Sequence, residues 1–348
     1  MKRLPAEFEK QRAAVLLFPS REDVWRKHCD PIRRMMVDLA NVMARYQPVI
    51  LGVLPELMDI ARNNYSYHKN VTLVEMKYND CWSRDTVSSV VLGDEPHIAA
   101  FTFNAYGGEL YTPWDDDDRL DYKIGELFGY PVKDCPVVLE GGNFLPDGHG
   151  TLFAVKDAIV NDNRNPDLSI EEIEKRIKDA TGTEQIIWLP RGLAYDETGG
   201  HIDNVMAFAD KETVILSWTD DKNDPQYEIV REAEKIIKSA RSLEGKEYKI
   251  VHLPIPPIYY RTEDDCADIV ETDDSFARLV GEPVLDTYVN YAIVNGAIIV
   301  PQFNNGELDK MAIDILKNVY RDMDVIPFYS REASLGGGGL HCLTKHIN

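Results

Sequence analysis

Short apolar runs alternate with amphipathic helical patterns along the whole 348-residue chain, and this alternation confines the fold to the α/β class. Ile32, Met35, Met36, Leu39, Val42 and Met43 recur at helical spacing after Pro31, which predicts a helix there. Buried strands are expected at 48–53 and 71–76, and a strand pair at 88–92 and 97–103 around Gly93-Asp94-Glu95-Pro96. Residues 137–139 read as a strand running into Glu140-Gly141-Gly142-Asn143. Ser169 and Glu172 form a capping box that opens a helix through Ile173 and Ile177. A further strand pair lies around Met206 and 214–216, and Asp224-Pro225 is expected to cap a helix carrying Ile229, Ala233, Ile236 and Ile237. Asn295-Gly296, between apolar runs at 288–294 and 297–300, is the favoured two-residue hairpin turn. A last helix is expected through Leu308, Met311, Ile315 and Val319, then a strand at 324–328. No Pro/Gly/Ser-rich linker divides the chain, so one domain over residues 1–348 is expected. No repeat of fixed period is visible, although similar strand–helix–strand units recur.

The chain closes on Leu335-Gly336-Gly337-Gly338-Gly339-Leu340-His341-Cys342-Leu343-Thr344. Chain ends fray unless something ties them down, so chemistry here implies a docked tail. Glycine lets backbone approach where a side chain would collide, so the run before Cys342 suggests a narrow site against a ligand. A flexible tail with an incidental cysteine is the alternative reading.

The formal net charge of −21 disfavours a nucleic-acid partner, because phosphate binding needs basic stripes that are missing here. Such a field attracts a cationic small molecule, although acidity also simply keeps a protein in solution. With 44% hydrophobic residues the chain is globular, and no stretch approaches the ~20 apolar residues of a membrane span. Met1-Lys2-Arg3-Leu4-Pro5-Ala6-Glu7 turns charged too early for a signal peptide. Cysteines 29, 81, 135, 266 and 342 are odd in number and scattered, which argues against a disulfide framework and for a reducing, cytoplasmic setting.

Four spots place a chargeable residue beside glycine or at a strand end: Asp85 after Trp82 and Arg84, Glu140 before Gly141-Gly142, His201 and Asp203 after Gly199-Gly200, and Cys342. On an extended strand His201 and Asp203 would face one side. A thiolate with a histidine proton carrier attacks carbon centres. Several carboxylates beside it would raise the thiol pKa and defeat the purpose, unless the substrate brings positive charge. A guanidinium does so, and its planar fork of donors matches carboxylates. Blander readings exist for each spot. Arg84–Asp85 is open to reading as a surface ion pair, Glu140 as a turn acid, and a lone histidine as structural. Asp115-Asp116-Asp117-Asp118 lacks the spacing and glycine of an EF-hand and is expected as a solvated loop. The glycine run lacks the Lys-Ser/Thr of a phosphate-binding loop.

Taken together, these motifs resemble the agmatine deiminases of the bacterial-type peptidylarginine deiminase family of guanidine-modifying enzymes. The matching stretches are Leu4-Pro5-Ala6-Glu7-Phe8-Glu9, Asn79-Asp80-x-Trp82-x-Arg84-Asp85, Leu139-Glu140-Gly141-Gly142, Asp196-Glu197-Thr198-x-x-His201-Ile202-Asp203-Asn204, Tyr288-Val289-Asn290, Val300-Pro301-Gln302-Phe303 and the terminal Gly-Gly-Gly-x-x-His-Cys-Leu-Thr. They cover almost the whole chain. The resemblance implies a pentein fold, a five-bladed α/β propeller with pseudo-fivefold symmetry and its site in the central channel. It implies Cys342 as nucleophile, His201 as general acid/base, Asp85 and Asp203 as the guanidinium clamp, and Glu140 orienting His201 and the substrate. Trp82, Glu197 and Gly339 are expected near the substrate. Two departures stand out: Val87 and Ser88 replace the usual Gly-Pro after Arg-Asp-Thr, and Gly339 stands where Asn is common.

The implied reaction is hydrolysis of agmatine to N-carbamoylputrescine and ammonia through a Cys-linked thiouronium, with no metal and no organic cofactor. The implied partner is a small cationic guanidine, with no nucleic acid, no membrane, and a possible homo-oligomer. Free or peptidyl arginine is the alternative substrate, and a catalytically silent polyamine-binding pentein the alternative of another class. Free arginine needs a cation for its α-carboxylate, and Arg84 is the one basic residue inside the matched motifs, which favours agmatine.

Overall fold

In the computed structural model, which describes residues 2–348, one small unit recurs. A central strand pairs antiparallel with a short neighbour on one side and parallel, after a crossover, with a strand on the other. Strand β1 (Ala13–Leu17) pairs parallel with β2 (Val49–Val53) across the helix Asp30–Met43, and β3 (Val71–Glu75) extends that sheet. The pair β4 (Val90–Val91) and β5 (His97–Thr102) is antiparallel, and β5 runs parallel to β6 (Val132–Val138). The same holds for β7 (Phe144–Pro146), β8 (Thr151–Val155) and β9 (Gln185–Leu189), and for β10 (Met206–Asp210), β11 (Thr213–Trp218) and β12 (Lys249–Pro254). A two-stranded ribbon of β13 (Tyr259–Tyr260) and β14 (Pro283–Val284) precedes the unit of β15 (Ala292–Val294), β16 (Ala297–Gln302) and β17 (Asp324–Tyr329). The last strand, β18 (Lys345–Ile347), returns antiparallel to β1 and completes the first unit. The fold is mixed α/β, and no sheet closes on itself among the described residues.

Local sequence explains these elements. Strands covered on both faces read as unbroken apolar runs, as β1 and β16 do. The helix Ile170–Thr181 opens on the expected box: Ser169 Oγ accepts from Glu172 N at 3.2 Å, and Glu172 Oε2 accepts from Ser169 N at 2.9 Å. It ends at Gly182, whose φ of 77° is the left-handed conformation of a helix C-cap. The helix Tyr227–Ser239 begins after Gln226, so Asp224-Pro225 does not cap it directly; Asp224 instead accepts from Gln226 N at 2.9 Å. The strand expected at 88–92 pairs with β5 over Val90–Val91 only, Leu92 bridging instead to Arg3, and a five-residue helix, Arg331–Leu335, follows the expected last one.

The tail is docked. Leu340, Cys342, Leu343 and Ile347 belong to the same apolar cluster as Phe18, Trp25, Met36 and Leu39. Burying these side chains, each worth ~1.5–3 kcal/mol, holds the glycine run against the body of the protein. All five cysteines are unpaired, and no helix among the described residues is long and apolar enough to cross a membrane.

Candidate active site

Each of the five units delivers polar side chains just before its short antiparallel strand. Asp85 sits in the helical turn Ser83–Thr86 ahead of β4, and Glu140 precedes the 3-10 turn Gly141–Asn143 ahead of β7. His201 precedes the 3-10 turn Ile202–Asn204, which carries Asp203, ahead of β10. Asn290 lies just before β15, and Cys342 before β18. His201 and Asp203 therefore share one site because a tight turn swings both inward, not because they alternate on a strand as the sequence suggested.

All of these groups are buried, and they converge. Cys342 Sγ lies 3.6 Å from Asp203 Oδ2 and 3.3 Å from Asn290 Nδ2. His201 Nδ1 is 3.8 Å from Asp85 Oδ1, and His201 Nε2 is 4.0 Å from Glu140 Oε2. Gly142 makes this crowding possible: a Cβ there would stand 2.7 Å from His201 Nδ1, 2.8 Å from Asp85 Oδ1 and 3.0 Å from Asp203 Oδ2. Its N–H instead donates to Asp85 Oδ1 at 2.7 Å. Gly338 does the same for the opposite wall, where a Cβ would meet the Trp82 ring at 2.6 Å and Cys342 Cβ at 3.1 Å. The glycines are required by close approach.

Supporting hydrogen bonds hold the functional atoms in place. Tyr106 Oη donates to Asp85 Oδ2 at 2.9 Å, and Arg164 Nε donates to Glu140 Oε1 at 2.8 Å. Asp196 accepts from His201 N and Asn204 Nδ2, each at 2.9 Å. Left over are Glu140 Oε2, His201 Nε2 and Asp203 Oδ1, all buried and without a hydrogen-bond partner. Orphaned buried polar atoms are costly, and three in one place mark where a polar ligand belongs.

The electrostatics are those of a site awaiting a cation. Burial pushes the Asp85 carboxyl up, and the neighbouring Asp203 adds to that against the pull of His201. Burial alone would depress His201, but Asp85 and then Glu140 lift its pKa above the ordinary value. Burial, then Asp203 and Asp85, push the Cys342 thiol well up, while the Gly339 backbone and Asn290 oppose them. A bound cation would reverse the largest of these charge effects.

Trp82, Asp85, Tyr106, Gly338 and Cys342 line a cavity of about 420 Å³; His201, Glu140 and Asp203 lie enclosed next to them. Two cations that the motifs did not reveal, Arg21 and Arg278, also line it. Neither has a free charge: Arg21 pairs with Asp80 at 2.9 Å and Asp23 at 2.6 Å, and Arg278 pairs with both Glu197 oxygens at 2.7 Å. Arg84 is elsewhere, itself buried and paired with the half-buried Glu7, so it forms no surface pair with Asp85. Glu197 stands behind Gly337, clamped by Arg278 and Arg261, and Gly339 packs on Asn290; both line a neighbouring cavity of about 370 Å³.

The aspartate run is solvated as expected at Asp115, Asp116 and Asp118, but not at Asp117. Asp117 is fully buried, accepts from the backbone N–H groups of Asn79 and Asp80 and from Tyr111 Oη, and burial raises its pKa to about 7. It thus braces the segment leading to Trp82 and Asp85. The altered dipeptide is absorbed locally: Val87 joins the core, and Ser88 N donates to Asp121 at 2.7 Å, a bond proline lacks. Asn290 and His341, which touch Cys342 and Asp203, were not read as site residues although both stand in the matched motifs. The signal for Asn290 was its position ahead of the Asn295-Gly296 hairpin, equivalent to the other four.

The family described as Porphyromonas-type peptidyl-arginine deiminase matches residues 3–347. A relative from Vibrio parahaemolyticus is 38% identical over 349 residues, covering 99% of this chain and 96% of its own. The agmatine deiminase of Pseudomonas fluorescens is 36% identical over 348 residues, covering 98% and 94%. The solved agmatine deiminase of Enterococcus faecalis superimposes with a TM-score of 0.94 at 30% identity, covering 99% of this chain and 95% of that one.

Proposed function

Because the chain belongs to the Porphyromonas-type peptidyl-arginine deiminase family, we propose that it is a deiminase of agmatine, converting agmatine and water to N-carbamoylputrescine and ammonia. The five like units support reading the chain as one pentein domain, its blades arranged about a pseudo-fivefold axis that the site residues surround. The return of β18 to β1 supports treating both ends as parts of one catalytic unit.

The observation that carries the reading is the convergence of one thiol, one histidine and three carboxylates around three unpartnered polar atoms. A guanidinium supplies the donors that Glu140 Oε2 and Asp203 Oδ1 lack, and its charge offsets the burial and the aspartate repulsion that together hold Cys342 as a thiol. In this mechanism the Cys342 thiolate adds to the guanidinium carbon, forming the C–S bond. His201 gives its proton to the departing nitrogen, and ammonia leaves as the C–N bond breaks. The product is a covalent S-alkylthiouronium. His201, now neutral, takes a proton from water as the water oxygen attacks the same carbon. The C–S bond then breaks to restore the thiolate, and the new hydroxyl gives up its proton, which leaves with ammonia as ammonium, to form the product C=O. Asp85 and Asp203 hold the carbon within reach of sulfur, and fixed charge in a water-poor site supplies much of the rate. Trp82 closes the aliphatic side of the cavity, with Glu197 and Gly339 shaping the wall beyond the glycine run.

Ammonia release from agmatine, arginine and a blocked arginyl peptide, with and without Cys342 alkylation, tests the reading. Release selective for agmatine, abolished by alkylation and protected by substrate, is the expected outcome. Release from another guanidine alone would keep the chemistry and change the substrate. Binding of agmatine without release from any of them would overturn the enzymatic reading in favour of a binding protein.

A further inference from the structure

The N-terminal motif Leu4-Pro5-Ala6-Glu7 has no part in the chemistry above, yet Glu7 reaches the site through one side chain. His341 Nε2 lies 2.9 Å from both Glu7 oxygens, and His341 Nδ1 lies 2.8 Å from Asp203 Oδ2. The ring is buried, and its backbone N–H is fixed by Asn290 Oδ1 at 3.0 Å. A neutral imidazole has one N–H and one lone pair, so between two carboxylates it would aim a lone pair at an anion. With both nitrogens protonated, each carboxylate accepts a charge-assisted bond.

We propose that His341 is a positioning residue of the deiminase site: an imidazolium held between Glu7 and Asp203 that turns Asp203 so that its Oδ1 faces the guanidinium. The proposal rests on the function argued above and assigns roles to two residues outside the five core groups. His341 occupies Asp203 Oδ2 and leaves Oδ1 the unpartnered atom. It also puts a fixed positive charge one residue from Cys342, against the two aspartates that disfavour the thiolate. Glu7 is the counter-charge of this cation, and it serves Arg84 as well. The charged and titratable groups around the pair are Asp203, Arg84, His346, Lys345 and the Tyr291 and Tyr320 hydroxyls. Burial and Arg84 oppose charging the ring, while Glu7 and Asp203 override them and raise its pKa. Burial would raise Glu7, but Arg84 and His341 hold it well below the usual carboxylate range. His346, which faces Arg84 and Glu7 from the next strand, is depressed by burial to about 3 and stays neutral.

Nitrogen-15 NMR of histidine-labelled wild-type protein tests the charge without any mutation and without turnover. Both His341 ring nitrogens are expected to be protonated near pH 7; a neutral ring would overturn the proposal. His341→Gln keeps a donor to Asp203 and loses the charge, and His341→Lys keeps a charge of similar reach. In His341→Gln the KM for agmatine is expected to rise about tenfold or more and the pH midpoint of Cys342 alkylation to move up. His341→Lys is expected to recover part of both. Equal behaviour of the two variants, or an unmoved alkylation profile in His341→Gln, would reduce His341 to a packing residue. Failure of the wild type to release ammonia from any guanidine would sink the functional reading instead, leaving the ring's charge and the alkylation profile still measurable.

Discussion

Glu140 Oε2 and His201 Nε2 face one another across 4.0 Å, both buried and neither with a hydrogen-bond partner. The gap is too long for a direct bond and too short for an atom on the line between them, so a single ligand group can meet both only from the side. The other Glu140 oxygen is held by Arg164, which also donates to the Thr198 carbonyl, so the pair is braced from the loop that carries His201. A proton carrier and an anion are thereby kept apart until substrate enters.

Replacing Glu140 with Gln keeps the shape and removes the charge. Asp85 and then Glu140 hold the His201 pKa up against burial, so losing one of them lowers it. The acid form is then lost at lower pH. We expect kcat to fall about 10²-fold or more, and the alkaline limb of its pH profile to shift downward. The check is the pH–rate profile of E140Q; an unmoved alkaline limb would separate Glu140 from the tuning of His201.

Glu197 neutralises Arg278 at the edge of the cavity, with both oxygens at 2.7 Å. Glu197→Gln leaves Arg278 short of a counter-charge and able to receive a carboxylate. Specificity of this kind rests on denying a partner to the wrong ligand. The ratio of kcat/KM for agmatine to that for arginine is expected to drop about tenfold, equivalent to ~1.4 kcal/mol. Paired kinetics on the two guanidines read it directly, and a constant ratio would remove this pair from substrate choice.

Lys345 is fully buried, donates to Ser89 Oγ at 3.0 Å, and is driven by burial from 10.5 down to about 7. Between those values the unfolded chain binds a proton that the folded one does not, so stability from this group rises with pH. Below about pH 7 both states are charged, and the folded state carries the full cost. Lys345→Met should therefore be more stable than the parent near neutral pH by on the order of a few kcal/mol, with the advantage fading toward alkaline pH. Denaturant unfolding at about pH 6.5 and about pH 9.5 measures this difference. A variant less stable at both would mean that the Ser89 bond outweighs the buried charge.

Local rules made much of this protein legible from its residues. Periodicity identified the helix Asp30–Met43, and the Ser169–Glu172 box marked the start of Ile170–Thr181. The glycine run before Cys342 pointed to crowded backbone, which Gly338 bears out through the side chains packed on it. Such features depend on a few neighbouring residues, so a linear chain displays them. Asp85, Glu140, His201, Asp203 and Cys342 could be picked out one by one, because each lies in a short polar or glycine-rich segment just ahead of a strand.

Tertiary structure alone decided which of those groups meet and what neutralises them. Glu7 and His341 are 334 positions apart and touch because β18 returns to β1, an event no local period encodes. The pairing of Arg278 with Glu197, the burial of Asp117 and the contact of Asn290 with the Cys342 sulfur are of the same kind. Charge in a sequence has a sign but no dielectric and no partner. Packing supplies both, and with them the difference between a solvated acid and one that waits, unpaired, for a cation.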